Sequence, residues 1–390
     1  MNPFHRNVRF GVSIGFAAAV ALTVSAGFAG VADAQPKGVA ASVVISPFVP
    51  GGLNNPRGLK FGPDGDLYVA EAGYPLAPIT EAQAGLGGKC SAGSSGPGDY
   101  YGSATGSRIL KVDMQGNVTT LVDGLPSNEA SGLASGVADI AFIGKTMYAI
   151  LAGAGCSHGV LDTPNGVLRV NPDGTTTMIA DLSAFQQANP VANPTDPITG
   201  DFEPDGTWYS MIAVRGSLYA IEPNHGELDR ITTDGTVTRV ADISASQGHV
   251  VPTVLAYHGN FYVSNLGQFD PDQLNTQSIF KITPSGQLKV VATGFSKVLG
   301  LAFDGRDRMY VLETSYSSSD PGPEACTGRL IRVLPNGKQQ ILIDSDSTHC
   351  TLFFPTGMTF GPDGALYISN VGFGPPPVGL GQILRVEITD

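Results

Sequence analysis

Short stretches of alternating apolar and polar residues recur along the chain, separated by clusters of Gly, Pro, Asp and Asn. A period of two marks half-buried strands. The clusters between them are turn formers, because Pro presets φ and Gly accepts a positive φ. The segments 56–69 and 355–368 show the pattern most clearly. Each predicts a strand, a Gly-Pro-Asp-Gly turn (Gly62–Gly65, Gly361–Gly364) and a second strand with a Tyr near its start. That Tyr returns as Tyr68, Tyr148, Tyr219, Tyr262, Tyr310 and Tyr367. A third strand follows each, ending in a basic and an aliphatic residue: Lys111-Val112, Arg169-Val170, Arg230-Ile231, Lys281-Ile282, Arg332-Val333 and Arg385-Val386. In five copies a Gly-containing turn and a fourth strand complete the unit.

Four strands repeated six times predict an all-β, six-bladed β-propeller. The last copy stops after its third strand. The segment Ala41 to Phe48 precedes the first hairpin and supplies the missing one, so the N-terminal strand is expected to complete the last blade. Closing the ring leaves no open sheet edge to invite aggregation. The whole of 35–390 then forms a single domain. The copies differ mainly between the second and third strands, where blade 1 has a long insertion and blade 3 almost none. These insertions share one face with the blade-to-blade connections, and function is expected on that long-loop face.

Composition sharpens this picture. The chain holds 51 Gly and 28 Pro in 390 residues, against a usual combined share of about 12%. With 42% hydrophobic and 14% charged residues, disorder and a helical bundle are both disfavoured. A net charge of −12 argues against nucleic acid as a partner, since phosphate contacts need clustered Lys and Arg. Residues 1–34 read as a signal peptide: Arg6 and Arg9 precede an apolar run, and Ala32-Asp33-Ala34 is an A-x-A cleavage site. The mature chain is then secreted or extracytoplasmic, without a membrane span. Its alternative is an uncleaved anchor. Four cysteines and no CxxC pair fit disulfides in an exported protein. Blades 1 and 2 are neighbours, and so are the two loops around blade 5, which predicts the bridges Cys90–Cys156 and Cys326–Cys350.

The segment from Pro56 to Glu71 resembles NHL repeats, and more broadly the calcium-dependent six-bladed propellers of the gluconolactonase and senescence-marker type. The Asn-Pro-Arg-Gly-Leu at Asn55, the Tyr-Val-Ala-Glu-Ala-Gly at Tyr68, the Gly-rich loop that follows and the C-terminal Gly-Gln-Ile-Leu-Arg-Val look like the ScyD/ScyE family of secreted NHL-like proteins. The resemblance covers 41–390. It implies the architecture and no secure reaction.

Three residues after each Tyr stand Glu71, Leu151, Glu222, Asn265, Glu313 and Asn370. Carboxylate and carboxamide oxygens in a ring suit Ca²⁺, so Glu71, Glu222, Asn265 and Glu313 are the candidate metal ligands. Glu71, Glu222 and Glu313 are also candidate catalytic acids or bases, with His225 beside Glu222. The alternative is that each polar side chain caps its strand and binds loop backbone. Arg57, Asp139, Ser210, Thr253 and Thr356 open the innermost strands. Arg57, Asp139 and Thr253, with Asn370, are candidate ligand-binding residues, and Arg57 is placed to pair with Glu71 or Asp139. His158, His249 and His349 fall on loops without a carboxylate at triad spacing. Two functions follow. One is an exported, monomeric binding or scaffold propeller that takes a small molecule or an extracellular protein partner. The other is a Ca²⁺-dependent hydrolase or lyase acting on a small molecule in the central funnel.

Overall fold

The computed structural model describes residues 41–76, 79–80, 101–130, 133–194, 203–268, 274–317, 323–372 and 379–390. The segment 1–34 and Cys90 lie outside these. Ala41–Asp390 form one unit by chain contacts. Six antiparallel sheets are arranged as the repeat predicts. In blade 3, for example, the strands Ser210–Val214, Ser217–Glu222, Glu227–Ile231 and Val237–Asp242 pair in sequence order from the axis outwards. In the last blade, Ser42–Leu53 pairs with Gly381–Thr389 from Ser42↔Thr389 to Leu53↔Gly381. The ring therefore closes with the N-terminal strand, which extends past the expected Phe48.

The recurring Tyr has two roles. Its ring packs edge-on against the Phe of the next blade's innermost strand: Tyr68 on Phe142 at 5.1 Å, Tyr262 on Phe303 at 4.9 Å, Tyr310 on Phe360 at 5.2 Å and Tyr367 on Phe61 at 4.9 Å. Such pairs add to the area they bury. Its hydroxyl binds the turn aspartate, as Tyr68 to Asp64 at 2.8 Å and Tyr367 to Asp363 at 3.1 Å. The basic residue of the third strand joins the same carboxylate, with Lys111 Nζ 2.7 Å and Arg385 Nε 2.9 Å away. The Gly-Pro-Asp-Gly turn, the Tyr and the third-strand cation thus form one repeated structural triangle.

Blade 1 departs from the plain repeat with two additional strands: Ile79–Thr80, paired to the third strand Tyr101–Val112, and Leu133–Ser135, paired to the far end of a long fourth strand, Val118–Ala130. The connection from blade 2 to blade 3 begins with a helix, α1 (Leu182–Ala188), whose N-cap Asp181 accepts from Ala184 N–H at 2.8 Å. Strand periodicity on either side gave no sign of it.

Candidate functional site

All six innermost strands line a cavity on the axis of about 30 Å³. That is room for about two or three waters. Tyr209, which precedes the innermost strand of blade 3, reaches across it. The hydroxyl donates across the channel to the Thr356 carbonyl of blade 6 at 2.9 Å. The Arg57 guanidinium lies 5.9 Å from the Tyr209 ring centre. Arg57 also donates to the Ala134 carbonyl. It therefore does not make the expected pairing with Glu71 or Asp139: Arg108 takes Glu71, and Lys60 sits 3.9 Å from Asp139.

The other residues that open these strands are stitches between blades. Asp139 accepts from Met211 N–H at 2.9 Å and from the Ser210 hydroxyl at 3.1 Å, joining blade 2 to blade 3. Burial raises its pKa, although Lys60, the Met211 and Ile140 N–H groups and the Ser210 hydroxyl pull it down. Asp139 fits only because residue 58 is Gly, where a Cβ would lie 2.1 Å from its Oδ1. Thr253 donates to the Val298 carbonyl at 2.8 Å, and Thr356 to the Pro56 carbonyl at 2.6 Å. Each hydroxyl reaches the next blade.

The ring of acids and amides does not converge. Every member faces the loop that enters its own blade. Glu71 accepts from Asn54 N–H and Arg108; Glu313 accepts from Ser296 N–H at 2.7 Å; Asn370 accepts from Phe353 N–H at 2.9 Å. Asn265 donates to the Val250 carbonyl at 3.0 Å and accepts from Ser278 N–H at 2.9 Å. Glu222 accepts three backbone N–H groups, from Thr207 at 2.8 Å, Asn224 at 3.1 Å and His225. The pinned loops carry an unusual bend. Asn55, Val251, Lys297 and Phe354 all have positive φ (52°, 54°, 42° and 45°), and each stands beside a latched backbone group. Non-Gly residues, and a β-branched one above all, adopt this conformation only when the surroundings impose it. The side chain three after the Tyr supplies that restraint.

Burial raises the carboxyls of Glu222 and Glu313 to about 7 despite the backbone donors. Burial also raises Glu71, against the pull of Arg108. These shifts arise from enclosure beside backbone, without a shared pocket. Glu71, Glu222, Asn265 and Glu313 therefore do not fit Ca²⁺: their oxygens are taken up by backbone N–H groups, and by Arg108 at Glu71, in four separate blades. Among the described residues, no group of three His, Cys, Asp or Glu side chains is placed to hold a metal ion.

His225 is buried, and its Nε2 lies 3.1 Å from the Glu203 carbonyl; burial lowers its pKa. His158 is also buried, with Nε2 3.6 Å from the Glu203 carboxylate. Burial lowers the His158 pKa, and Glu203 reverses that to a net rise. Glu203, together with Asp205, which binds Ser157 N–H at 2.7 Å, ties the blade 2 loop to the blade 2–3 connection. Both lie in an aperiodic stretch where no spacing singled them out. His349 is exposed, 3.5 Å from Asp346. Cys326 and Cys350 are bonded as expected, joining the loop between the second and third strands of blade 5 to the connection into blade 6. Cys156 is also disulfide-bonded, and the assignment of Cys90 to it lies outside the described residues. No helix among the described residues is long and apolar enough to cross a membrane.

No family model and no curated protein matches the chain. Solved structures do. An aldose sugar dehydrogenase from Streptomyces coelicolor, in its PQQ-bound form, aligns over 90% of this chain and 98% of its own at 18% identity, with a TM-score of 0.52. A gluconolactonase from Xanthomonas campestris aligns over 88% and 89% at 11% identity, TM-score 0.50. A protein of unknown function from Bacteroides thetaiotaomicron aligns over 89% and 76% at 13% identity, TM-score 0.53. At these identities the likeness establishes the fold, a six-bladed β-propeller, and leaves activity to the site.

Proposed function

We propose that the chain is an exported propeller of the ScyD/ScyE type that binds a small molecule or an extracellular protein through its long-loop face. The observation that carries this is the narrow, spanned axis. Tyr209 reaches across the channel to Thr356, and the cavity it lines has room for only a few waters. Ligand pockets for small-molecule chemistry are far larger. The polar side chains that would serve a catalytic funnel are spent on latching loops. What remains on that face are the connections between strands, whose described parts are tied by the latches and by the Cys326–Cys350 bond.

The test compares the two faces. A library of small molecules and secreted proteins is screened against the purified protein by thermal shift and interferometry. Binding should disappear when the 74–105 insertion of blade 1 is replaced by a short turn. It should survive changes to the Gly-Pro-Asp-Gly turns on the opposite face. Turnover of a lactone or sugar that depends on added Ca²⁺ and is lost in Glu222→Gln would overturn the proposal.

A further inference from the structure

Blade 3 breaks the repeat in its third strand. Opposite the residue that follows each Tyr, the other five blades place a buried apolar side chain: Leu110, Leu168, Phe280, Ile331 and Leu384. Blade 3 places Asp229 there, fully buried, with no hydrogen-bond partner on either carboxyl oxygen. Two residues earlier the substitution is reversed in charge. The latch acids Glu71 and Glu313 lie opposite Arg108 and Arg329, whereas Glu222 lies opposite Glu227. Glu227 is fully buried too, and its Oε1 is unpartnered.

Because strand side chains alternate, Glu227, Asp229 and Ile231 share a face. Ile231 and Ala220, which lies opposite Asp229, pack with Trp208 and with Leu182 of α1, so this face is the one turned toward blade 2. Gln186, one turn beyond Leu182, is buried with both amide atoms unpartnered, and so is the Trp208 Nε1. The charged groups facing Asp229 are Glu227, Glu222 and Arg239. His225 adds to them at Glu227. Asp242, opposite Glu227, is already bound to Ser244, Ala245 and Ala192, and α1 itself carries no charge. One guanidinium thus faces three buried carboxyls. An uncompensated buried carboxylate is so costly that it takes up a proton or a counter-ion. The donors do not gather as a metal site, which leaves the proton.

We propose that Glu227 and Asp229 form a proton-binding site that controls the seating of α1. Arg239 is the coupling element. It binds Glu227 and the Asn189 and Pro190 carbonyls just beyond α1, and lies 6.0 Å from the Phe185 ring centre. It is also the direct cross-strand neighbour of Asp229. When the site releases its proton to solvent, the Asp229 carboxylate draws Arg239 away from those carbonyls, and α1 is left in its last turn with the Gln187 bond to the Pro204 carbonyl. Burial raises both carboxyls, which places the release on the alkaline side of their ordinary range.

Hydrogen exchange of peptides spanning 182–190, corrected for intrinsic rates, tests this on the whole chain. Protection should fall at least tenfold between pH 5.5 and pH 8. Asp229→Leu, which restores the side chain of three other blades, should abolish the change. Asp229→Asn, which mimics the proton-loaded acid, should do the same and serves if the Leu variant fails to fold. Unchanged protection in the natural chain, or a parallel fall in both variants, would refute the site. Restoration at pH 8 by millimolar Ca²⁺ or Na⁺, absent in Asp229→Asn, would show that it takes a cation, and would equally overturn the proton assignment.

Discussion

Replacing both Cys326 and Cys350 by Ala removes the staple across the loops of blade 5. The bond joins residues 24 apart in sequence. For a closed loop of about 25 residues, the chain-entropy model gives about 12 cal/mol/K, or about 3.5 kcal/mol at 25 °C. A domain of this size unfolds with an entropy of roughly 0.7 kcal/mol/K, so the melting point should fall by about 5 °C. The folded loops keep other ties. The Ser315 and Thr327 hydroxyls lie 2.8 Å apart, Tyr316 N–H binds the Thr327 carbonyl at 2.9 Å, and the Arg329 guanidinium sits 3.4 Å from the Tyr316 ring centre. The blade 5 sheet should therefore persist. The assay is urea unfolding of the variant under non-reducing conditions, so that the bond at Cys156 stays intact, with exchange measured on peptides covering 314–328 and 345–352. Those peptides should lose protection while those of blade 2 do not. A loss below about 1 kcal/mol, or one spread evenly around the ring, would refute the view that this bond holds the long-loop face.

Near pH 5, Glu313→Ala should lose about 1–3 kcal/mol, because the buried Ser296 N–H loses its acceptor; urea midpoints would show it. Glu313→Gln keeps an amide oxygen as acceptor and removes only the titration. The folded carboxyl is raised to about 7 from 4.5, so its stabilising effect is complete below pH 4.5 and is lost as pH rises through 7, about 3 kcal/mol in all. The Gln variant should match the natural chain near pH 5 and exceed it at pH 8; equal pH dependence would refute enclosure as the cause. Tyr367→Phe should lose about 1 kcal/mol with the bond to Asp363, and Tyr367→Ala about 3–5 kcal/mol, since its ring packs on both Phe48 and Phe61. Gly73→Ala should be severely destabilising, because φ is +67° and the new Cβ would lie 1.8 Å from the Gly106 carbonyl oxygen; failure to lower the melting point would contradict the close approach of those loops.

The polar positions three after each Tyr show what a repeat can and cannot reveal. Their recurrence was visible at Glu71, Glu222, Asn265, Glu313 and Asn370, and so was their place at the end of the second strand. Whether the oxygens of these five side chains meet on an axis or turn to the neighbouring loop depends on side-chain rotamers and on the path of the entering chain. That path bends at Asn55, Val251, Lys297 and Phe354, and at the last three no residue type announced a positive φ. Asp229 is the converse case. Its departure from the apolar residue of the other blades stood in the string Glu227-Leu228-Asp229, yet it reads as an ordinary solvated strand face until burial is known.

The sequence by itself determined the architecture. Period-two alternation, turn chemistry and a sixfold Tyr are local signals, and repetition made them redundant enough to count blades, close the ring and pair Cys326 with Cys350. Only the tertiary structure decided what the polar residues do. It directed the ring of acids and amides into backbone latches, spanned the axis with Tyr209, and enclosed Asp229 and Glu227 between two blades. The reason is physical: a carboxylate's role is set by the donors and the dielectric around it, and in a propeller those come from other blades, often many residues away in the chain.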